Sequence, residues 1–549
     1  GGAKLFALSL RGAQRRGNPS PLPPPLGEVP SAHTGRRGPA ANHKEGDPLK
    51  LYLQPGTVNW SPERYHYAAE QMMLTLFPGE RPEYPEDNGH SLDRDNAAVF
   101  SLAVEGETAR LAAEVFRGDQ SARGESDFPA DALDQSPEKV YHVVQHALKM
   151  AFYQAGCALL GQEPPWGALT GVRPVKLPTR AMLAGATEAE AIAQLEREYR
   201  VSPVRAALAA DCARATLAAQ RQLGEKQVSV YVGIPFCPTR CAYCSFVSAD
   251  VGRTLKLVEP YLQLLLEEVD ATGRALREAG LTVRSFYMGG GTPTTLSADQ
   301  LDRLLARCEQ SLPLQSCIEY TVEAGRPDTI TREKLEVLAR HSIGRISINP
   351  QTLEDQVLQA IGRRHRAGDI QTAFALARDV GFACVNMDLI AGLPRDSFEG
   401  FQRSLEGVLA MGPENVTVHT LALKKGSTLM ERRDVIPGGD QVARMLDFSL
   451  DALRGAGYAP YYLYRQKYMS GSLENVGWAR PGTESLYNIV MMEELQTVVS
   501  IGGGGVTKLV DPAAGRILRL PNPKYPHDYL AARDKILAQK DEIVSFYGG

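Results

Sequence analysis

Between about residue 228 and residue 425, short runs of β-branched and aromatic residues alternate with longer stretches whose apolar residues recur at helical spacing. The strand-like runs are VSVYVGI (228–234), VRSFYMG (283–289), CIEYTVEA (317–324), RISIN (345–349), CVNMDLI (384–390) and NVTVHTLA (415–422). Helical periodicity fills the intervals at 256–279, 297–311, 331–341, 353–380 with a break near Ala367, and 397–411. Strict alternation of this kind predicts a parallel sheet with right-handed helical crossovers. Six units are too few to close an eight-stranded barrel, so the expected α/β fold is an open, partial TIM-like (βα)6 barrel over 221–425. Upstream, 49–220 predicts an N-terminal α+β domain, with strands in LKLYLQ, AAVFSLAVEG and TARLAAEVF and a helix in EKVYHVVQHALKMAFYQAG. The segment 426–549 is expected as a mostly helical C-terminal domain. Residues 1–48, rich in Pro, Gly, Ser and Arg without apolar periodicity, are expected as a disordered extension with no bearing on the fold.

The unusual residues fall where this pattern ends its strands. Cys237, Cys241 and Cys244 follow the first, in IPFCPTRCAYCSF; the run GGGTPT (289–294) follows the second; Glu323 ends the third. Asn349 and Gln351 follow the fourth, Asp388 and GLP (392–394) close the fifth, and His419 lies in the sixth. In parallel barrels the C-terminal ends of the strands carry the chemistry. Three thiolates can hold three irons of a [4Fe–4S] cube and leave the fourth open for another ligand. A structural zinc site wants four N/S ligands, and no second Cys pair or His-x3-5-His follows, so zinc is the lesser alternative. Consecutive glycines let backbone approach a ligand closely, although a tight βα turn explains GGGTPT equally. Glu323 and Asp388 suit ribose hydroxyls or an ammonium group, and singly each reads as well as a strand-end ion pair. Gln351 and Arg363 can bracket a carboxylate, while IGRRHR (361–366) reads as a solvated basic helix end. His365 and His419 are the histidines nearest this rim, and His419, inside an apolar strand, reads by default as a satisfied core histidine.

Composition narrows the class. The 549-residue chain has a formal net charge of −4 and pI near 6.3, which favours neither nucleic acid nor an anionic membrane surface as partner. Eight cysteines, scattered singly apart from the triplet, point to a reducing compartment, the cytoplasm, without a disulfide framework.

With these motifs assembled, the chain resembles the radical S-adenosylmethionine (SAM) enzymes, in particular the oxygen-independent coproporphyrinogen III oxidase family. The resemblance runs from about Val228 to Lys508 through YVGIPFCPTRCAYCSF, FYMGGGTPT, VEAGRPD, GRISINPQTL, NMDLIAGLP and a later GGGG before Val506. WGALTGVRPVK (166–176) and YLYRQKYMSGSLENVGWARPG (462–482) resemble its HemZ branch. The resemblance implies that Cys237, Cys241 and Cys244 hold a [4Fe–4S] cluster whose open iron is chelated by SAM. It implies that Tyr231 lies beside SAM, that Gly290, Gly291 and Thr292 contact its methionine part, and that Glu323, Gln351, Arg363 and Asp388 hold its amino acid and ribose parts. Reductive cleavage of SAM then yields methionine and a 5′-deoxyadenosyl radical that abstracts hydrogen. The implied reaction is oxidative decarboxylation of two coproporphyrinogen III propionates to vinyl groups, giving protoporphyrinogen IX. The implied partners are a tetrapyrrole, an electron donor for the cluster and an electron acceptor, around a monomer. Arg173 and Lys176 suit substrate propionates, with interdomain packing the preferred reading. One position departs from the family: where well-studied dehydrogenases carry a further cysteine two residues after the third, this chain has Phe246. The same departure marks a haem-chaperone branch, yet SLYNIVMM and GGGGVTK lack the histidines of that branch. A haem-binding chaperone and a radical SAM enzyme acting on another tetrapyrrole are the alternatives.

Overall fold

The computed structural model describes residues 48–54, 61–85, 95–244, 249–422, 427, 429, 436–466, 472–511 and 515–548. The extension 1–47 and Phe246 lie outside them. The chain forms two compact units that divide between Pro164 and Pro165.

The first unit is α+β. Strands β1 (Leu49–Leu53), β2 (Pro82–Glu83), β3 (Asn96–Glu105), β4 (Thr108–Arg117) and β5 (Gln120–Pro129) form one sheet in the order β2-β1-β3-β4-β5. Helix α1 (His66–Leu76) packs on α2 (Pro137–Leu160), which packs on β4 and β5. β5 has no counterpart in the sequence reading. Its run QSARGESDFP is polar and mostly solvated, so nothing in its hydropathy marks it, and its ladder to β4 supplies the pairing.

The second unit opens with helices α3 (Lys176–Leu183), α4 (Glu188–Tyr199) and α5 (Pro203–Gln220). This corrects the expected boundary near residue 220. Ala206, Leu208, Ala209, Cys212 and Ala213 of α5 are fully buried in the same core as the barrel strands, and that apolar stripe ties these helices to the second unit.

The barrel strands are β6 (Gln227–Ile234), β7 (Thr282–Gly290), β8 (Glu319–Gly325), β9 (Arg345–Ile348), β10 (Cys384–Ala391) and β11 (Asn415–Thr420), each parallel to the next. Helices α6 (Val251–Glu278), α7 (Ala298–Ser311), α8 (Arg332–Arg340), α9 (Ala367–Val380) and α10 (Phe398–Met411) alternate with them. Beyond β11 come α11 (Gly439–Gly455), β12 (Ala459–Tyr464), β13 (Asn475–Ala479), α12 (Leu486–Glu493), β14 (Val498–Gly502), β15 (Val506–Asp511) and β16 (Arg516–Pro521). The segment after 425, expected as mostly helical, therefore adds five strands to the same sheet. The full order is β12-β13-β11-β10-β9-β8-β7-β6-β14-β15-β16. β14 pairs in parallel with β6, giving the open barrel a seventh parallel strand, while antiparallel hairpins extend both edges.

Period-two alternation fixes which face is which. Val230, Val232, Phe286, Met288, Ile346 and Val385 are fully buried against the helical layer. Burying each such side chain is worth roughly 1.5–3 kcal/mol. The opposite face is polar: Ser229 and Ser285 share a 2.6 Å hydrogen bond, Asn386 donates to Ser347 at 2.7 Å, and Arg345 donates to Asn415 at 2.9 Å. A one-residue slip of any strand would exchange the two faces, so the register is strongly specified. Among the described residues no helix is long and apolar enough to cross a membrane.

Candidate active site

The polar inner face ends at the C-terminal rim. Glu323 on β8, Asp388 on β10 and His419 on β11 stand there together. They are joined by the cysteine loop leaving β6, the glycine run leaving β7, and Asn349 and Gln351 after β9.

The cysteine loop is held from several directions. Gly291 and Thr292 donate backbone N–H groups to the carbonyls of Ile234 and Phe236, both at 2.8 Å. Thr292 Oγ1 lies 3.5 Å from Cys237 Sγ, and Arg326 Nη1 bonds the hydroxyl of Thr239 at 2.7 Å. Further along, Ala242 N–H reaches the Ile361 carbonyl at 2.9 Å and Cys244 N–H reaches the Cys241 carbonyl at 3.1 Å. The third glycine of the run and the threonine after it thus support the cysteines. A Cβ on Gly291 would stand 2.5 Å from the Phe236 carbonyl oxygen.

Arg363 is buried beside this loop. Its Nη1 donates to the Asn349 carbonyl at 2.6 Å and its Nη2 to the Tyr243 hydroxyl at 3.2 Å. Its Nε finds no partner among the described residues. Gln351 adopts a left-handed backbone (φ 68°), with its N–H on the Asp388 carbonyl and its C=O taken by Ile390, so its main chain is welded to β10. His365, by contrast, is buried with both ring nitrogens unpartnered among the described residues. Burial, reinforced by Arg363, pushes its pKa down to about 4, which leaves it neutral at pH 7.

Inside the barrel, Tyr231 and Tyr287 occupy paired positions on β6 and β7. Tyr487 of α12 stacks on Tyr287 at 4.5 Å between ring centroids and on Tyr231 at 6.3 Å. Tyr287 donates to Glu323 Oε1 at 2.6 Å. Burial raises the Glu323 carboxyl to about 7, with Asp388 adding to the rise and Tyr287 opposing it. Asp388 goes the other way: burial pushes it up, but His419, Asn386 and Thr417 outweigh burial, and the net shift is downward. Two neighbouring carboxyls held in different protonation states are a recurrent sign of a functional site. The folded protein keeps on Glu323 a proton that an unfolded chain releases near 4.5. Stability should therefore fall as pH rises from about 4.5 to about 7 and level off above that. Denaturation midpoints across this range check it: Glu323→Gln should flatten the fall, and an unaltered profile would refute the assignment.

Tyr487 owes its place to a residue that sequence reading did not single out. Glu319, at the start of β8, accepts from Ser485 Oγ at 3.1 Å and from the backbone N–H groups of Leu486 and Tyr487 at 2.7 and 3.0 Å. It thereby caps α12 and seats its first aromatic under the site. Arg345 stands 3.7 Å away. Glu319→Ala removes a buried acceptor of three hydrogen bonds and strands Arg345, which should cost roughly 3 kcal/mol. A urea midpoint equal to that of the wild type would show that α12 is anchored by other contacts.

Arg173 and Lys176 point to another residue altogether. Both pair with Glu494 Oε2, at 2.5 and 3.0 Å, and Arg519 reaches Oε1 at 3.0 Å. Burial raises the Glu494 carboxyl and these cations more than reverse it, leaving its pKa near 2. All four residues belong to the second unit, and the pairs join the segment 165–220 to the segment after 425, as the packing reading of these two cations expects.

The donor set tests the cofactor. Cys237, Cys241 and Cys244 are half-buried thiols on one short loop, none of them in a disulfide. Among the described residues no three His, Cys, Asp or Glu side chains are grouped to hold a single metal ion. A cube makes no such demand, because each thiolate takes a different iron. Soft thiolates, the unsatisfied Arg363 Nε and the rim carboxyls Glu323 and Asp388 fit an iron–sulfur cluster with an amino acid ligand beside it.

The family model of the radical SAM superfamily matches residues 231–406. The oxygen-independent coproporphyrinogen-III oxidase-like protein HemZ of Bacillus subtilis is 39% identical over 401 residues, 72% of this chain and 80% of that protein. The haem chaperone HemW of Lactococcus lactis is 31% identical over 330 residues, 58% of this chain and 80% of its own length. The solved coproporphyrinogen III oxidase HemN of Escherichia coli overlaps 59% of this chain and 72% of its own, with TM-score 0.47 and 24% identity. This chain belongs to the radical SAM superfamily, which uses a [4Fe–4S] cluster and SAM, and within it to the HemN/HemZ-like family.

Proposed function

We propose that the protein is an oxygen-independent coproporphyrinogen III dehydrogenase. The observation that carries this reading is the convergence of the cysteine loop, the glycine run and the unlike carboxyls Glu323 and Asp388 on one barrel rim, in a chain 39% identical to a coproporphyrinogen-III oxidase-like protein. The bound cluster and SAM supply a radical that removes one hydrogen atom from a propionate side chain. Cys237, Cys241 and Cys244 bind the cluster, and Arg326, Arg363 and Thr292 hold their loop in place. Glu323, Gln351, Arg363 and Asp388 would hold the amino acid and ribose parts of SAM, Gly290, Gly291 and Thr292 its methionine part, and Tyr231 would lie beside it. Enclosure of these groups on the rim keeps water from the reactive carbon and holds it near the substrate hydrogen. Each decarboxylation would release carbon dioxide and one electron, which calls for an external acceptor besides the external electron donor. We place the protein in the cytoplasm as a monomer.

The similarity to haem chaperones favours a second reading, in which the same fold binds haem without turnover. Anaerobic incubation of the reconstituted protein with SAM, dithionite and coproporphyrinogen III separates the two. Vinyl product is expected. Formation of 5′-deoxyadenosine without vinyl product would assign another substrate, and stoichiometric haem binding without turnover would support the chaperone reading.

A further inference from the structure

Among the polar groups on the rim, His419 has no part in holding the cofactor. Its Nε2 lies 3.8 Å from Asp388 Oδ2 and its Nδ1 lies 3.5 Å from the hydroxyl of Tyr464. Both separations are too long for committed hydrogen bonds. The imidazole is about a quarter exposed, at 26% of its side-chain surface, so it is not the satisfied core histidine that its strand suggests.

Tyr464 comes from β12, two strands away in the sheet, and belongs to the 462–482 stretch that stands out in the sequence. Gly477 on the intervening β13 lets this stretch reach the barrel: a Cβ there would lie 1.8 Å from the Tyr462 ring. Tyr462 therefore lies across β13 with its hydroxyl 3.5 Å from Thr417 Oγ1. Tyr464 stacks parallel to it at 6.3 Å, which brings its own hydroxyl to His419. Burial raises the Tyr464 phenol to about 12, so it remains a donor at neutral pH.

We infer that His419 and Tyr464 together receive a carboxylate of the substrate, with Asp388 orienting the imidazole from behind. With Nε2 on the Asp388 side, Nδ1 faces the Tyr464 hydroxyl 3.5 Å away, so an imidazole N–H and a phenol O–H can converge on one group. A carboxylate can place one oxygen on each. The inference rests on the tetrapyrrole reading and adds the group that recognises the acid side chain.

The test uses the reconstituted holoenzyme with SAM, and coproporphyrin, the stable oxidised tetracarboxylate, as a fluorescent probe against its tetramethyl ester. The wild type should bind the acid at least about tenfold more tightly than the ester, as expected of a charge-assisted pair. His419→Phe and Tyr464→Phe should each shrink that ratio severalfold, and His419→Gln, which keeps a donor, should retain part of it. In turnover, the loss should fall on KM more than on kcat. An unchanged acid-to-ester ratio in both phenylalanine variants, with the wild type binding normally, would overturn this inference alone. A wild type that binds neither probe would overturn the tetrapyrrole reading and the inference with it.

Discussion

Replacing Cys241 by alanine should abolish both the visible absorbance of the cluster and the reductive cleavage of SAM. The loop offers no spare thiol. Among the described residues the other cysteines lie elsewhere: Cys212 and Cys308 are buried in the core, and Cys384 donates to Asn415 at 3.3 Å on the inner face of β10. With two thiolates left, a cube would have two irons without protein ligands, and its binding constant should collapse. Iron and sulfide analysis after anaerobic reconstitution, followed by chromatography for 5′-deoxyadenosine, measures both effects. A full [4Fe–4S] spectrum in this variant would refute the ligand assignment.

Gly291→Ala should be nearly as damaging, for a reason that lies wholly in the polypeptide. The added methyl would sit 2.5 Å from the Phe236 carbonyl and 2.9 Å from that of Ile234. These backbone atoms lead directly into Cys237. Overpacking of this kind costs about 1–3 kcal/mol, and relief requires the cysteine loop to move away from β7. Cluster loading should fall roughly tenfold, in line with that energy. Far-UV circular dichroism should stay that of a folded protein, because the barrel helices are untouched. Wild-type iron content in this variant would show that the loop tolerates the shift.

The barrel was legible because its strands obey two rules at once. Apolar side chains point outward at period two, and polar ones point inward, so the same alternation that names a strand also places Glu323, Asp388 and His419 on one rim. What escaped the sequence was non-local. VVSIG is short and glycine-flanked, and its pairing with β6 is created only by the folded chain. Glu319 and Tyr487 lie far apart in sequence, and neither carries a local signal of the cap and stack they build. Tyr287 had one, since it stands in FYMGGG at the same phase of alternation as the glycines of the rim. The 462–482 stretch stood out as a string of residues, but its use depends on Gly477 letting tyrosines cross a strand. The helices 176–220 fell on the wrong side of a boundary because helical periodicity reports an apolar stripe and not the core that receives it.

The pairing of β14 with β6 constrains how the protein is made. β6 leads into the cysteines and carries Tyr231, and one of its two neighbours is β14, close to the end of the chain. While the ribosome is still producing residues before Val498, a nascent barrel has an unsatisfied edge beside the cysteine loop. Such an edge invites pairing with other chains. Premature termination before β14 should therefore yield aggregates rather than a smaller barrel that loads iron. Cluster assembly is accordingly expected only after translation has supplied β14.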